Sequence, residues 1–212
     1  MEEIKALYVK LLKEFGYQNW WPGETKFEVV VGAILTQNVS WSNVETAIQN
    51  LKKSNLLSPK KILNTDDEKL YELIEPTGFY RQKTSRLKRI SRTIKNNGGL
   101  EDFFKIDDLR KKLLDIKGIG PETADSIILY AAEEPSFVVD AYTNRILKRS
   151  FGIEGSYNEI KNLFEDSLDK NLLKLQEIHA LLVELGKNHC SKNDPSCERC
   201  PLSSNCRHAN QR

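Results

Sequence analysis

Apolar residues recur at three- and four-residue spacing along almost the whole chain, and alternating strand-like stretches are scarce. A stripe of that period must bury itself against another packed layer, and with few strands the layer is helical, so the pattern restricts the chain to an all-α fold. The spacing predicts helices at about 2–15, 25–36, 41–53, 59–64, 68–75, 80–95, 106–114, 121–132, 141–151, 157–168 and 172–189. Turn chemistry separates them at Trp21-Pro22-Gly23, Pro76-Thr77-Gly78, Asn96-Asn97-Gly98-Gly99 and Lys117-Gly118-Ile119-Gly120-Pro121. The 212 residues suffice for one large domain or two small ones sharing a core.

Residues 190–212 depart from this pattern: they are poor in large apolar side chains and contain all four cysteines. Something other than a core must hold them. Cys190, Cys197, Cys200 and Cys206 are spaced C-x6-C-x2-C-x5-C. Two disulfides do not suit a chain that shows no secretion signal. Four thiolates satisfy either a tetrahedral zinc ion or the irons of a [4Fe–4S] cluster, and a single C-x2-C knuckle modestly favours the cluster. His189 and His208 flank the loop and are expected at the surface, with metal ligation as the alternative.

The amino terminus reads as an amphipathic helix with Ile4, Leu7, Leu11 and Leu12 on one face, not as an apolar signal core. No later segment approaches the roughly 18 apolar residues of a membrane span, so a cytoplasmic protein without a membrane partner is expected. A composition that is 39% hydrophobic and 29% charged is that of a folded chain. The net charge of +2 says nothing about nucleic acid, but its distribution does. Between Phe79 and Leu100 there is no acidic residue, while Arg81, Lys83, Arg86, Lys88, Arg89, Arg92 and Lys95 are basic. These cannot all share one helix face; part of the run is solvated surface and part suits phosphate.

Two motifs carry candidate chemistry. In Leu114-Asp115-Ile116-Lys117-Gly118-Ile119-Gly120-Pro121-Glu122-Thr123-Ala124 a tight turn joins two helical patterns, with Gly118 and Gly120 leaving the backbone open to a ligand. Pro121 suits the first turn of a helix whose free N–H groups face outward, a geometry that holds a phosphate oxygen. Further on, the apolar run Phe137-Val138-Val139 ends in Asp140, where a new helix begins. In isolation Asp140 reads as an N-cap.

Hairpin, aspartate and cysteine loop in this order resemble the helix-hairpin-helix DNA glycosylase superfamily of base-excision repair, in its endonuclease III branch. The resemblance implies a two-domain, all-α helix-hairpin-helix glycosylase fold with a C-terminal iron–sulfur cluster loop at 190–206. It implies a six-helix barrel over 20–133, and a second domain from 1–19 plus 134–212. It implies a [4Fe–4S] cluster on the four cysteines, phosphate binding at Gly118, Ile119 and Gly120, and Asp140 as the catalytic carboxylate. Gln37 resembles the residue that fills the space left by a flipped base, and Phe79 the wedge entering the opposite strand. The implied partner is double-stranded DNA holding a damaged base; the protein would be nucleoid-associated when bound, a monomer, and would pass its product to an abasic-site endonuclease.

One departure bears on the reaction. Bifunctional members carry a hairpin lysine that attacks the sugar as a Schiff-base nucleophile; here that position is Glu122, so no β-lyase activity is expected. Trp20-Trp21-Pro22, Gly32-Ala33-Ile34-Leu35-Thr36-Gln37-Asn38 and Gly78-Phe79-Tyr80-Arg81-Gln82-Lys83 most resemble 3-methyladenine DNA glycosylase III. That likeness implies an aromatic pocket for a cationic alkylpurine, with Trp20, Trp21, Trp41 and Tyr142 as candidates and Lys187 at a pocket-facing position. The alternative substrates are a deaminated or mismatched base: hypoxanthine, adenine, uracil or thymine. Gln37, Asn38, Glu122 and Asp125 are candidates to hydrogen-bond such a neutral base. A non-catalytic DNA-structure binder is the reading from another class.

Overall fold

The computed structural model describes residues 1–20 and 23–211; Trp21, one of the pocket candidates, lies outside them. Among the described residues there is no strand, as the periodicity requires. The chain divides into two compact units, Met1–Trp20 with Glu134–Arg212, and Trp21–Glu133. Each is built around its own helices.

The central unit holds α2 (Lys26–Leu35), α3 (Trp41–Lys53), α4 (Pro59–Asn64), α5 (Asp67–Ile74), α6 (Tyr80–Asn96), α7 (Leu100–Phe104), α8 (Leu109–Leu114) and α9 (Pro121–Ile127). A π-helical turn, Ile128–Ala132, closes it. The apolar helix α2 is buried on nearly every side and contacts α3, α6 and α9; Val30, Val31, Ile34 and Leu35 are fully inaccessible. Its start is set by Thr25, whose side chain accepts from the Glu28 N–H at 3.2 Å. The helix expected at 106–114 begins instead at Leu109, capped by Asp108. The short helix α7 was not expected; its five residues follow Gly98 and Gly99 and bury Phe103 and Phe104, too brief a span to register as a period.

The terminal unit pairs α1 (Glu2–Phe15) with α10 (Ala141–Phe151), α11 (Tyr157–Ser167), α12 (Leu172–Asn188) and α13 (Arg207–Asn210). The helix α12 is its axis, contacted by α1 and α10. A buried polar network fixes the extended segment leading to Asp140. Glu165 accepts from the Phe137 N–H at 2.9 Å and pairs with Lys161, which donates to Ser136 at 2.8 Å. Gly186 is required where α10 meets α12: a Cβ there would lie 2.2 Å from the Tyr142 ring.

Candidate active site and cysteine centre

In the central unit, α8 and α9 flank the turn at 115–120. Gly118 has φ of 99°, a conformation that favours glycine, and a Cβ on it would strike the Arg86 side chain at 2.7 Å. Ile119 is buried and anchors the turn, its N–H bonded to the Ile116 carbonyl at 2.9 Å. Gly120 precedes Pro121, and a Cβ on it would meet nothing within 4 Å. None of the hydrogen bonds among the described residues uses the N–H of Gly118 or Gly120. The turn therefore presents two unused donors beside open space at a helix start, the arrangement that receives a phosphate oxygen.

Two further turns of this unit carry Gln37 and Phe79. The Gln37 amide donates to Thr123 Oγ1 at 2.9 Å and to the Gly118 carbonyl at 3.3 Å, and its oxygen accepts from Arg86. Gln37 thus lies on the hairpin. Phe79 is 65% exposed and has φ of 46°, after Gly78 at 61°. A left-handed phenylalanine costs on the order of 1–2 kcal/mol, so exposing that ring in that conformation is sustained by its surroundings. Along α6 the basic run divides by role. Lys83 is buried, Arg86 holds Gln37, Lys88 pairs with Asp67, and Arg81 lies over the Tyr71 ring. Arg89 and Arg92 join Lys112 and Lys117 in a groove beside the hairpin, with Asp115.

In the terminal unit Asp140 caps α10. Its Oδ1 accepts from the Thr143 N–H at 2.7 Å and the Thr143 hydroxyl at 2.8 Å, leaving Oδ2 to face His179 Nε2 at 3.8 Å, an ion-pair distance too long for a hydrogen bond. Burial acts to raise the carboxyl pKa, but His179 and the two Thr143 donors outweigh it and hold Asp140 below the ordinary carboxylate range. The site thus maintains a desolvated carboxylate in its charged form. The His179 ring lies 5.7 Å from the Trp20 ring and 6.4 Å from that of Phe137.

The same α10 reaches the cysteine loop at its other end. Arg145 donates to the Cys190 carbonyl at 2.8 Å; Arg149 donates to Ser191 and Lys192 carbonyls at 2.6 and 2.8 Å and approaches Cys190 Sγ at 3.4 Å. All four cysteines line one small cavity. His189 and His208 line it too, both half-buried. The His189 ring packs on Phe15 at 5.9 Å. The Cys200 thiol is pushed up by burial and, despite the Leu202 N–H, further up by the other three cysteines.

A sequence profile described as HhH-GPD superfamily base excision DNA repair protein matches residues 31–170. A protein of Methanocaldococcus jannaschii, provisionally named a DNA repair glycosylase, is 51% identical over 212 residues, covering 97% of this chain and 96% of that protein. The chain belongs to the HhH-GPD superfamily. It is a DNA repair glycosylase of that superfamily with the all-α helix-hairpin-helix fold. The 3-methyladenine DNA glycosylase of H. pylori, solved with 1,N6-ethenoadenine, is 36% identical with a TM-score of 0.75, over 88% of this chain and 96% of that one. An endonuclease III trapped as a covalent DNA intermediate matches with a TM-score of 0.85 over 99% and 97% of the two chains; at 20% identity the likeness is of fold alone.

Among the glycosylase residues expected from sequence, the structure gathers Gln37 with the hairpin, and Trp20 with Asp140 through His179. Glu122 is exposed on the first turn of α9, and Trp41 is half-buried at the start of α3. Tyr142 packs on Gly186, and Arg145 sits over its ring at 5.0 Å. Lys187 is exposed on the last turn of α12. Asp125 is no pocket residue: it is fully buried and takes two bonds from Arg110, at 2.9 and 3.0 Å. His179 is the residue that sequence reasoning missed. Among the described residues no helix is long and apolar enough to cross a membrane.

Proposed function

We propose that this protein is a monofunctional DNA glycosylase that hydrolyses the N-glycosidic bond of an extruded alkylated purine, such as 3-methyladenine. The observation that carries the hydrolytic reading is Asp140, a carboxylate kept ionised inside the protein by His179 and Thr143. Cleavage of the bond builds positive charge on the deoxyribose, and a desolvated carboxylate stabilises it. Water then adds at the sugar carbon, its proton passing to Asp140 or solvent, while the bonding electron pair leaves with the base. Glu122, in place of the hairpin lysine, supplies no amine for an imine, so an intact abasic strand is the product.

The substrate class is supported by Trp20 beside the catalytic pair and by the ethenoadenine bound to the H. pylori relative. An alkylpurine is cationic with a weakened glycosidic bond, so stacking on aromatic faces selects it without a strong general acid. Gly118, Ile119 and Gly120 would take the DNA phosphate, Gln37 the vacated space and Phe79 the opposite strand; Trp41, Tyr142 and Lys187 remain pocket candidates. The protein acts as a monomer on duplex DNA, and its product suits an abasic-site endonuclease.

Cys190, Cys197, Cys200 and Cys206 would hold a [4Fe–4S] cluster. All four line one cavity. A cluster takes one thiolate sulfur at each of its four irons, which matches a set of four cysteines. Its role would be to hold loop 190–206 against α10.

The test is base release from methylated duplex DNA beside duplexes holding hypoxanthine, uracil and thymine mismatches, with and without hot alkali. Release of methyladenine with breaks only after alkali is the expected result. Release of a neutral base alone would overturn the substrate class, and breaks without alkali would overturn the monofunctional reading.

A further inference from the structure

Lys83 is among the large fully buried side chains of the described residues, 1% exposed. Burying an ammonium is costly unless its donors are satisfied. Its Nζ donates to the Leu35 carbonyl at 2.8 Å and the Thr77 carbonyl at 2.7 Å. Leu35 ends α2, so its carbonyl belongs to the last turn, where helical partners run out and a cation is favoured. Thr77 ends a single 3₁₀ turn, just before the left-handed pair Gly78 and Phe79.

These two carbonyls stand at the roots of the two turns carrying Gln37 and Phe79. One turn along the same helix, Arg86 holds the Gln37 side chain and packs against Gly118 of the hairpin. A Leu or Met at position 83 would fill the core equally well but would leave both carbonyls without a donor.

We infer that Lys83 is a positioning residue for base extrusion, tying the Gln37 turn and the Phe79 turn to one buried ammonium so that plug and wedge enter DNA as a unit. The inference rests on the glycosylase reading above. It separates two costs: forcing a paired base out of the stack, which needs plug and wedge together, and breaking the bond once the base is out, which does not.

The test compares Lys83→Met with the wild type on whichever lesion duplex the wild type cleaves. Single-turnover base release is measured with the lesion paired and with it opposite an abasic gap, where little unstacking is needed. A 2-aminopurine beside the lesion reports extrusion, and anisotropy reports duplex affinity. The expected result is about a 10- to 100-fold loss on the paired lesion, the range that misplacement of catalytic geometry produces. On the gapped duplex the loss should be a few-fold at most, with the 2-aminopurine rise suppressed and affinity little changed. An equal loss on both duplexes would make Lys83 merely structural and overturn the inference, as would unchanged extrusion. Should the Met variant melt below the assay temperature, Lys83→Arg, which keeps charge but not geometry, is put through the same comparison. The substrate reading is judged separately, by which duplex the wild type acts on.

Discussion

His179 Nε2 faces Asp140 Oδ2 at 3.8 Å, while the other oxygen of that carboxylate is committed to Thr143. The two oxygens therefore have separate duties: one caps α10 and fixes the side chain, the other stays open towards an imidazole. His179 opposes the burial that would otherwise raise Asp140. His179→Gln keeps the bulk and removes that contribution. The acid limb of the rate of base release should then move to higher pH. A limb that stays in place would show that His179 does not set the ionisation of Asp140. A carboxyl depressed in the fold contributes stability above its unfolded pKa and loses it as pH falls through the folded value, so His179→Gln should make acid unfolding less steep.

Substituting Asp140 itself separates its capping of α10 from the catalytic role proposed for it. Asparagine retains the oxygen that caps α10 and is as good an N-cap as aspartate, so Asp140→Asn should fold and bind DNA like the wild type. Base release should fall by about 10³-fold, the scale of losing a main transition-state electrostatic partner. Asp140→Ala loses the cap as well and should melt earlier by an amount equivalent to about 1 kcal/mol. Equal losses of binding and turnover in the Asn variant, seen by anisotropy and single-turnover rates, would make Asp140 structural only.

The helices were legible because their apolar period survives along the chain, and Gly-Pro punctuation marks their ends. Elements of five residues such as α7 lie below that resolution. Charged side chains inside the protein were misread for a physical reason: a lysine or aspartate shows no periodicity that distinguishes a satisfied interior ion from a solvated one. Lys83 sat in a basic run that looked like surface, and Asp125 looked like a pocket donor, although Arg110 claims both its oxygens. His179 was silent because it is a lone histidine in the apolar stretch Ile178–Leu182; only the fold brings Trp20 and Asp140 to it. The hairpin was legible because its glycines answer to backbone geometry, which is local.

The cysteine loop is tied to α10 by Arg145 and Arg149, and the Cys206 thiol reaches the Arg149 carbonyl at 3.5 Å. Cys197→Ser removes one proposed cluster ligand without touching those contacts directly. Purified wild type should hold about four irons, with the broad visible absorption of an iron–sulfur centre. The variant should lose both and melt at lower temperature, since binding energy at such a centre is folding energy. Zinc in place of iron, or colourless wild-type protein with four free thiols after anaerobic purification, would overturn the cluster assignment.

Glu122 stands exposed on the first turn of α9, next to Pro121 and one residue before Thr123, on which the Gln37 amide rests. On the proposed hydrolytic reading, that one side chain accounts for an abasic product. The wild type should leave abasic sites that break only in alkali, and borohydride should trap no protein–DNA adduct. Glu122→Lys places an amine there, at a cost of about 0.3–1 kcal/mol because a cation is disfavoured at a helix N-terminus. That amine can add to the opened sugar aldehyde, expel water as the imine forms, and be fixed as a secondary amine when hydride reduces it. A denaturation-resistant adduct on a gel is therefore expected from Glu122→Lys and not from the wild type. An adduct with the wild type would mean that another amine of this protein reaches the sugar, and the hydrolytic proposal would fall. A Glu122→Lys variant that releases base at the normal rate but traps nothing would show that the first turn of α9 points elsewhere, and the assignment of position 122 to the sugar would fall.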